Sequence, residues 1–209
     1  MSAPEIFFVG DDGLAVRVAE RAARHGLAGA LRASGKWIDV VPGKREVTVQ
    51  FDALAIAPAA AEALLRKQAE NIPEAEESAA GALTLHMQTD DAAAPDLARL
   101  AAENGLTREA FLARIEASPL TVDMMGFTAG FAYVAGVDPA LVAPRLDTPR
   151  QKVPAGSVGM ISGQLGFYAL AGPAGWPIIG RIAEPLFDPR REAPFTLEAG
   201  LRLHLSIGR

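Results

Sequence analysis

The 209-residue chain has no cysteine, which removes disulfides, thiolate metal sites and thiol nucleophiles together. Imidazole is scarce as well: His25, His86 and His204 are dispersed, and no zinc-ligand spacing connects them. No apolar run approaches the roughly 20 residues that cross a bilayer. The N-terminus MSAPEIFFVGDDG lacks the basic segment and long apolar stretch of a signal peptide. With 20 basic against 25 acidic side chains the net charge is -5, and the cations are scattered. The concentrated basic surface that nucleic acids require is therefore missing. These absences predict a soluble, cytoplasmic protein with neither a membrane nor a nucleic-acid partner.

What is present is distributed unevenly. Ten of the 20 glycines fall between Gly126 and Gly180, and nine of the 15 prolines lie from Pro139 onward. Such dense punctuation predicts short strands and tight turns. The first part alternates β-prone and helical runs instead. Glu5–Val9 is followed by a turn at Gly10-Asp11-Asp12-Gly13, then by Leu14–Val18 leading into a helix expected to end at His25-Gly26. Trp37–Val41 and Val47–Phe51 read as strands around Pro42-Gly43-Lys44, and Pro58–Asn71 as a helix. The expected β-α-β-β-α order describes a small α/β domain over residues 1–78. Glu74–Gly81 (EAEESAAG) reads as a linker. Residues 79–209 read as a β-rich barrel domain carrying two short helices, Asp96–Asn104 and Arg108–Ala117, so the whole is α+β.

Three segments carry candidate chemistry. Gly126–Gly136 (GFTAGFAYVAG) sets Phe127, Phe131 and Tyr133 among turn-permitting residues, able either to line a pocket or interface or to pin a loop to the barrel. Arg145, Arg150 and Lys152 form the densest basic patch, stiffened by prolines. Such cations suit a carboxylate, phosphate or carbamate, and equally a solvated edge strand. Gly156–Tyr168 looks like a phosphate loop but lacks the Gly-Lys-Ser/Thr ending and a following helix. It reads as two strands, Val158–Ile161 and Phe167–Leu170, with Gln164 on the turn between them. His86 and His204 alternate with leucine and methionine and are expected on exposed strand faces.

The ordered series GFTAGFAYVAG, PRLDTPRQKVPAGSVGM, GQLGFYAL, GPAGWPIIGR and LFDPRRE resembles the B-type subunit of bacterial ATP-dependent 5-oxoprolinase. That family is also described as allophanate hydrolase subunit 1 and as the Kip-type histidine-kinase inhibitor, and it is related to carboxyltransferase subdomains C and D of urea carboxylase. The resemblance runs from Gly126 to Glu192. It implies a small α/β domain followed by a cyclophilin-like β-barrel. It also implies a subunit, inactive alone, that works with A- and C-type partners to open 5-oxoproline to glutamate with ATP. Within it, Arg150, Lys152 and Gln164 match the polar positions expected to be catalytic, and Phe127, Tyr133, Arg145 and Arg181 those expected to bind substrate. ATP is expected at a site shared with or carried by a partner, with no metal on this chain. Biotin is not expected either, since none of Lys36, Lys44, Lys67 and Lys152 follows a methionine. The alternatives carried by the same resemblance are a regulator of a histidine kinase and a component of an allophanate- or urea-type amide hydrolase or carboxyltransferase. Ala129 stands where the family has proline, and Glu116-Ala117-Ser118 where a histidine usually precedes the strand.

Overall fold

In the computed structural model, residues 4–70 and 82–208 are described, and the chain divides into two compact units, Met1–Ala79 and Ala80–Arg209. The expected linker Glu74–Gly81 lies outside the described residues, as does the predicted helix end at Asn71.

The first unit is a four-stranded antiparallel sheet in the order β1(Ile6–Val9), β2(Gly13–Arg17), β4(Glu46–Gln50), β3(Asp39–Pro42). Period-2 alternation points Leu14 and Val16 of β2, and Val47 and Val49 of β4, into one core. Helices α1(Arg21–Ala33) and α2(Pro58–Ala69) cover that core with Leu27, Leu31, Ala61 and Leu65. Two expectations are corrected here. Glu5–Val9 and Leu14–Val18 form a hairpin, so the order is β-β-α-β-β-α. Helix α1 also runs through Gly26 to Ala33. A mid-helix glycine costs about 1 kcal/mol, and the continuous buried stripe Arg24, Leu27, Ala28, Leu31 outweighs that.

The second unit is a closed barrel in the order β10-β7-β6-β13-β5-β12-β9. Its strands are β5(Leu83–Gln88), β6(Leu120–Met125), β7(Ala132–Ala135), β9(Ser157–Ile161), β10(Gln164–Phe167), β12(Ile178–Ile182) and β13(Arg202–Ile207). Neighbouring strands are antiparallel except β13 and β5, which run parallel from Leu203↔Leu83 to Ile207↔Met87. Leu85, Val122, Val134, Val158, Met160, Leu165, Phe167 and Leu205 fill the interior. Helices α3(Leu97–Glu103) and α4(Arg108–Glu116) pack on it through Leu97, Leu100, Phe111 and Ile115. Helix α4 starts at Thr107, whose hydroxyl accepts from the Ala110 N–H. A separate two-stranded ribbon pairs β8(Arg150–Val153) with β11(Gly172–Ala174).

The β9–β10 hairpin also departs from expectation. Its turn is the two-residue Ser162-Gly163, with Gly163 at φ +78°, the backbone that a tight hairpin demands. The second strand is therefore Gln164–Phe167 and not Phe167–Leu170. Gln164 stands on a strand between Ile161 and Ala135, not on a turn. Tyr133 likewise belongs to β7, not to a loop.

Leu205 lies fully buried on the parallel seam that joins the last strand to the first. Leu205→Ala is expected to cost about 2–5 kcal/mol in chemical denaturation. A loss below about 1 kcal/mol would show that the seam is not part of the cooperative core.

Candidate functional site

The site is built on the outer face of β7, β10 and β9. Val134, Leu165 and Met160 point inward, so alternation turns Tyr133, Gly166 and Gly159, which pair across the strands, outward. The two glycines leave a bare patch of sheet, and aromatic rings lie directly on it. A Cβ on Gly166 would fall 2.7 Å from Cζ of Phe131 and 2.8 Å from Cζ3 of Trp176. On Gly159 it would fall 3.0 Å from Cβ of Trp176 and 3.1 Å from Cε2 of Tyr168.

Phe131 is the hub of the rings. Its centroid is 4.8 Å from Tyr133, 4.9 Å from Tyr168, 5.3 Å from Phe127 and 6.3 Å from Trp176, all edge-to-face. Phe131, Tyr168 and Trp176 are buried, packed with Val153, Ala174 and Ile178. Phe127, at the rim, is 61% exposed and adopts φ +68°, which no other described non-glycine residue does. That region costs an aromatic residue of order 1 kcal/mol or more. The guanidinium of Arg145 lies 5.6 Å above the Trp176 ring, an exposed cation on an aromatic face.

Two polar groups define the chemistry. The Tyr168 hydroxyl is pushed up to about 12, first by burial and then by the nearby Tyr133, with Arg145 pulling the other way. It stays a neutral hydrogen-bond donor throughout the physiological range. Gln164, one pleat repeat along β10 from Gly166 on the same outer face, has its amide Nε2 buried with no hydrogen-bond partner. A buried donor left unpaired costs about 1–3 kcal/mol, so the geometry calls for an acceptor that the folded chain does not supply. Together the groups form a ring-walled cradle on one outer face of the barrel, with an exposed cation above it and an unpaired amide donor beside it.

The predicted residues are thus only partly gathered. Phe127, Tyr133 and Arg145 belong to the cradle, and Gln164 shares its face. Arg150 does not project freely: Nη2 donates to Asp96 Oδ1 at 2.9 Å, and Nη1 lies 2.8 Å from Oδ2 as an ionic contact without hydrogen-bond alignment. Lys152 is exposed on the ribbon. Arg181 stands opposite Ser157 and Gln88 with its stem over Gly156, outside the ring contacts. Sequence reasoning missed Tyr168, Trp176 and Asp96. For Tyr168 the signal was available, since 164, 166 and 168 share one phase once the strand starts at Gln164.

A cleft of about 710 Å³ opens elsewhere, between α4 and the ends of β5 and β13, with His86, Arg108, Glu116 and Ser206 in its lining. There Nδ1 of His86 contacts Glu184 at 2.5 Å. Burial raises Glu184, but the hydrogen bonds from the His86 ring and N–H outweigh it and hold the carboxyl below its usual range. His86 and His204 are both exposed, as expected. None of the predicted site residues lines this cleft. Among the described residues no cluster of three or more His, Asp or Glu is arranged to hold a metal, and no helix is long and apolar enough to cross a membrane.

The family model for the carboxyltransferase domain, subdomain C and D, matches residues 4–197. The chain belongs to that family. It is 35% identical over 164 residues to the B-type subunit of 5-oxoprolinase from Escherichia coli O157:H7, covering 78% of this chain and 74% of that protein. It is 38% identical over 106 residues to the Bacillus subtilis (strain 168) protein of the same name, covering 51% and 44%. Among solved structures, TTHA0988 superposes with a TM-score of 0.83 at 28% identity over 98% of this chain, which spans 41% of that longer protein. The Kluyveromyces lactis urea carboxylase shares the fold at 16% identity, with a TM-score of 0.74 over 99% of this chain and 22% of that one. The α+β architecture with its cyclophilin-like barrel is the carboxyltransferase fold of this family.

Two measurements check the cradle. The unfolded tyrosine ionises near 10 and folded Tyr168 only near 12. Its contribution to stability is therefore fully present below about pH 10 and is lost as pH rises through about 12. Thermal stability should fall across that window, and Tyr168→Phe should remove part of the fall. An unchanged alkaline slope would place the hydroxyl in water. Gly166→Ala should displace the Trp176 ring and shift its emission while the far-ultraviolet spectrum is kept, and identical emission would refute the close packing.

Proposed function

We propose that the chain is the B-type component of an ATP-dependent amide-opening complex of the 5-oxoprolinase kind, completed by A- and C-type subunits. The observation that carries this reading is the ring cradle with the unpaired Gln164 amide on the same face. Relatives named as 5-oxoprolinase components, one of them matched over 78% of this chain, support 5-oxoproline as the substrate. 5-Oxoproline is a small planar lactam with a carboxylate, and its amide needs activation. The γ-phosphoryl group of ATP goes to the lactam oxygen and ADP departs. Water then attacks the carbon, the C–N bond breaks and the nitrogen takes a proton to leave an acyl phosphate, which a second water hydrolyses to glutamate and phosphate.

Gln164 would donate to the lactam oxygen as charge develops there. Arg145 would pair with the substrate carboxylate, and Tyr133 and Phe127 would hold the ring flat. Lys152 offers its ammonium from the ribbon to the transferring phosphoryl group, and Arg150 shapes the wall from which it acts. ATP is assigned to a site shared with a partner. What supports this is that segment 156–166 forms a strand hairpin whose Ser157 and Ser162 N–H groups go to the Pro154 and Ala143 carbonyls, and not a phosphate-binding loop leading into a helix. The chemistry needs no metal or biotin on this chain.

Tagged chain isolated from its own cells should bring down a C-type barrel partner in near-equal amount, and the reconstituted set should release glutamate from 5-oxoproline only with ATP. Gln164→Ala and Arg145→Ala should each lower kcat/KM by about 100-fold with the melting temperature unchanged. Recovery of a histidine kinase in place of the barrel partner, with Phe127→Ala abolishing capture, would instead support the regulatory reading. An allophanate- or urea-dependent release would move the substrate.

A further inference from the structure

We infer that Asp96 is the positioning residue of the cradle: through Arg150 it seats the β8–β11 ribbon that carries the Arg145 and Trp176 wall. The inference rests on the cradle being the working face, but not on the amide chemistry assigned to it.

Asp96 precedes α3 and is 6% exposed. A carboxylate so buried is tolerated only when its charge and lone pairs are matched. Oδ2 accepts from the N–H of Ile178 at 2.7 Å, and the Asp96 N–H donates back to the Ile178 carbonyl at 3.0 Å. This reciprocal lock fixes Asp96 to the first residue of β12, beside Pro177 and Trp176. The carboxylate then reaches out to Arg150, while Arg99 stays at 3.8 Å. Arg150 opens β8 and lies opposite Ala174 in β11, two residues before Trp176. Arg145 is five residues upstream, and the adjacent Leu146 N–H is bonded to the Gly175 carbonyl.

The ribbon shares no ladder with the barrel. The ion pair is thus a side-chain tether from barrel to ribbon, and 54 residues separate its ends. One face of the ribbon, through Val153 and Ala174, packs on Phe131 and Tyr168. Where the ribbon rests therefore decides how far Arg145 and Trp176 stand over the sheet. The charge of Arg150 is spent on Asp96, which makes Arg150 a link and not a ligand.

Trp37 and Trp176 are the only tryptophans, and Trp37 belongs to the first unit, bonded to Gln68. In a Trp37→Phe background Trp176 reports alone. Asp96→Asn keeps an oxygen for the Ile178 N–H and removes the charge that holds Arg150. It should raise acrylamide quenching of Trp176 by about twofold or more with the barrel still folded. Arg150→Met should do the same, Arg150→Lys less, and Asp96→Asn/Arg150→Met no more than either single change, since both act on one link. In the reconstituted complex Asp96→Asn should raise KM more than it lowers kcat. Unchanged quenching in Arg150→Met, or additive effects in the double variant, would overturn the inference. If Asp96→Asn does not fold, Arg150→Met, on a side chain one-third exposed, decides alone. A complex without amide-opening activity would instead refute the proposed function and leave the quenching result standing.

Discussion

The parallel pairing of β13 with β5 is the constraint on which the larger unit depends. It joins Leu203–Ile207 to Leu83–Met87, almost the whole length of that unit apart, and closes seven strands into a ring. Joining ends so distant in sequence costs more chain entropy than any hairpin in the fold, and the buried leucines on the seam offset it. Closure also fixes orientation. Once alternate residues must fill a closed interior, the other half face outward without choice. Tyr133, Gln164, Gly166 and Gly159 reach one outer face because Val134, Leu165, Met160 and Val158 are needed inside.

An outward glycine would normally weaken a strand, because it packs nothing and loses the most entropy. Two of them side by side on β9 and β10 make sense only if something larger uses the space. Trp176 and Phe131 do so at contact distance. The cradle is thus made by subtraction in the sheet and addition from the loops. Its shape depends on where the loop residues are held, and the tether from Asp96 holds one of them. Burying a carboxylate for that purpose is costly, and a hydrophobic pair of similar volume often stabilises as well or better. Its presence is better explained by placement than by stability.

The readable parts of the sequence were those set by short-range physics. Alternation at Val47–Phe51 and the proline at Pro58 each act within a few residues, and they placed elements nearly where they lie. The Gly26 stop failed because helix termination by glycine is a weak preference that a buried stripe overrides. The Gln164 turn failed because Ser-Gly-Gln-Leu-Gly holds two turn signals, and only the inward demand for Leu165 chooses between them. The ordered motifs gathered Phe127, Tyr133, Arg145 and Gln164 onto one face. They also counted Arg150 as a free cation, since its partner lies 54 residues earlier in a stretch that reads as an ordinary helix start.

The rim of the cradle gathers an exposed ring, an exposed cation and an unpaired amide. Phe127 holds a backbone conformation that a bulky residue avoids, with most of its ring in water. Both features cost free energy, against which the chain sets the edge-to-face contacts of that ring with Phe131 and Tyr168. Arg145 is stacked on Trp176 with its charge open to solvent, and the Gln164 amide is buried without an acceptor. An apolar edge, an exposed cation and an unpaired donor on one face match what the proposed function asks of it: a flat, anionic, oxygen-bearing substrate covered by an apolar partner surface. Covering the face would bury the Phe127 ring, and lowering the dielectric there would strengthen both polar contacts at once. On the proposed function, substrate and partner would favour each other, because each would remove water that weakens the other's contacts.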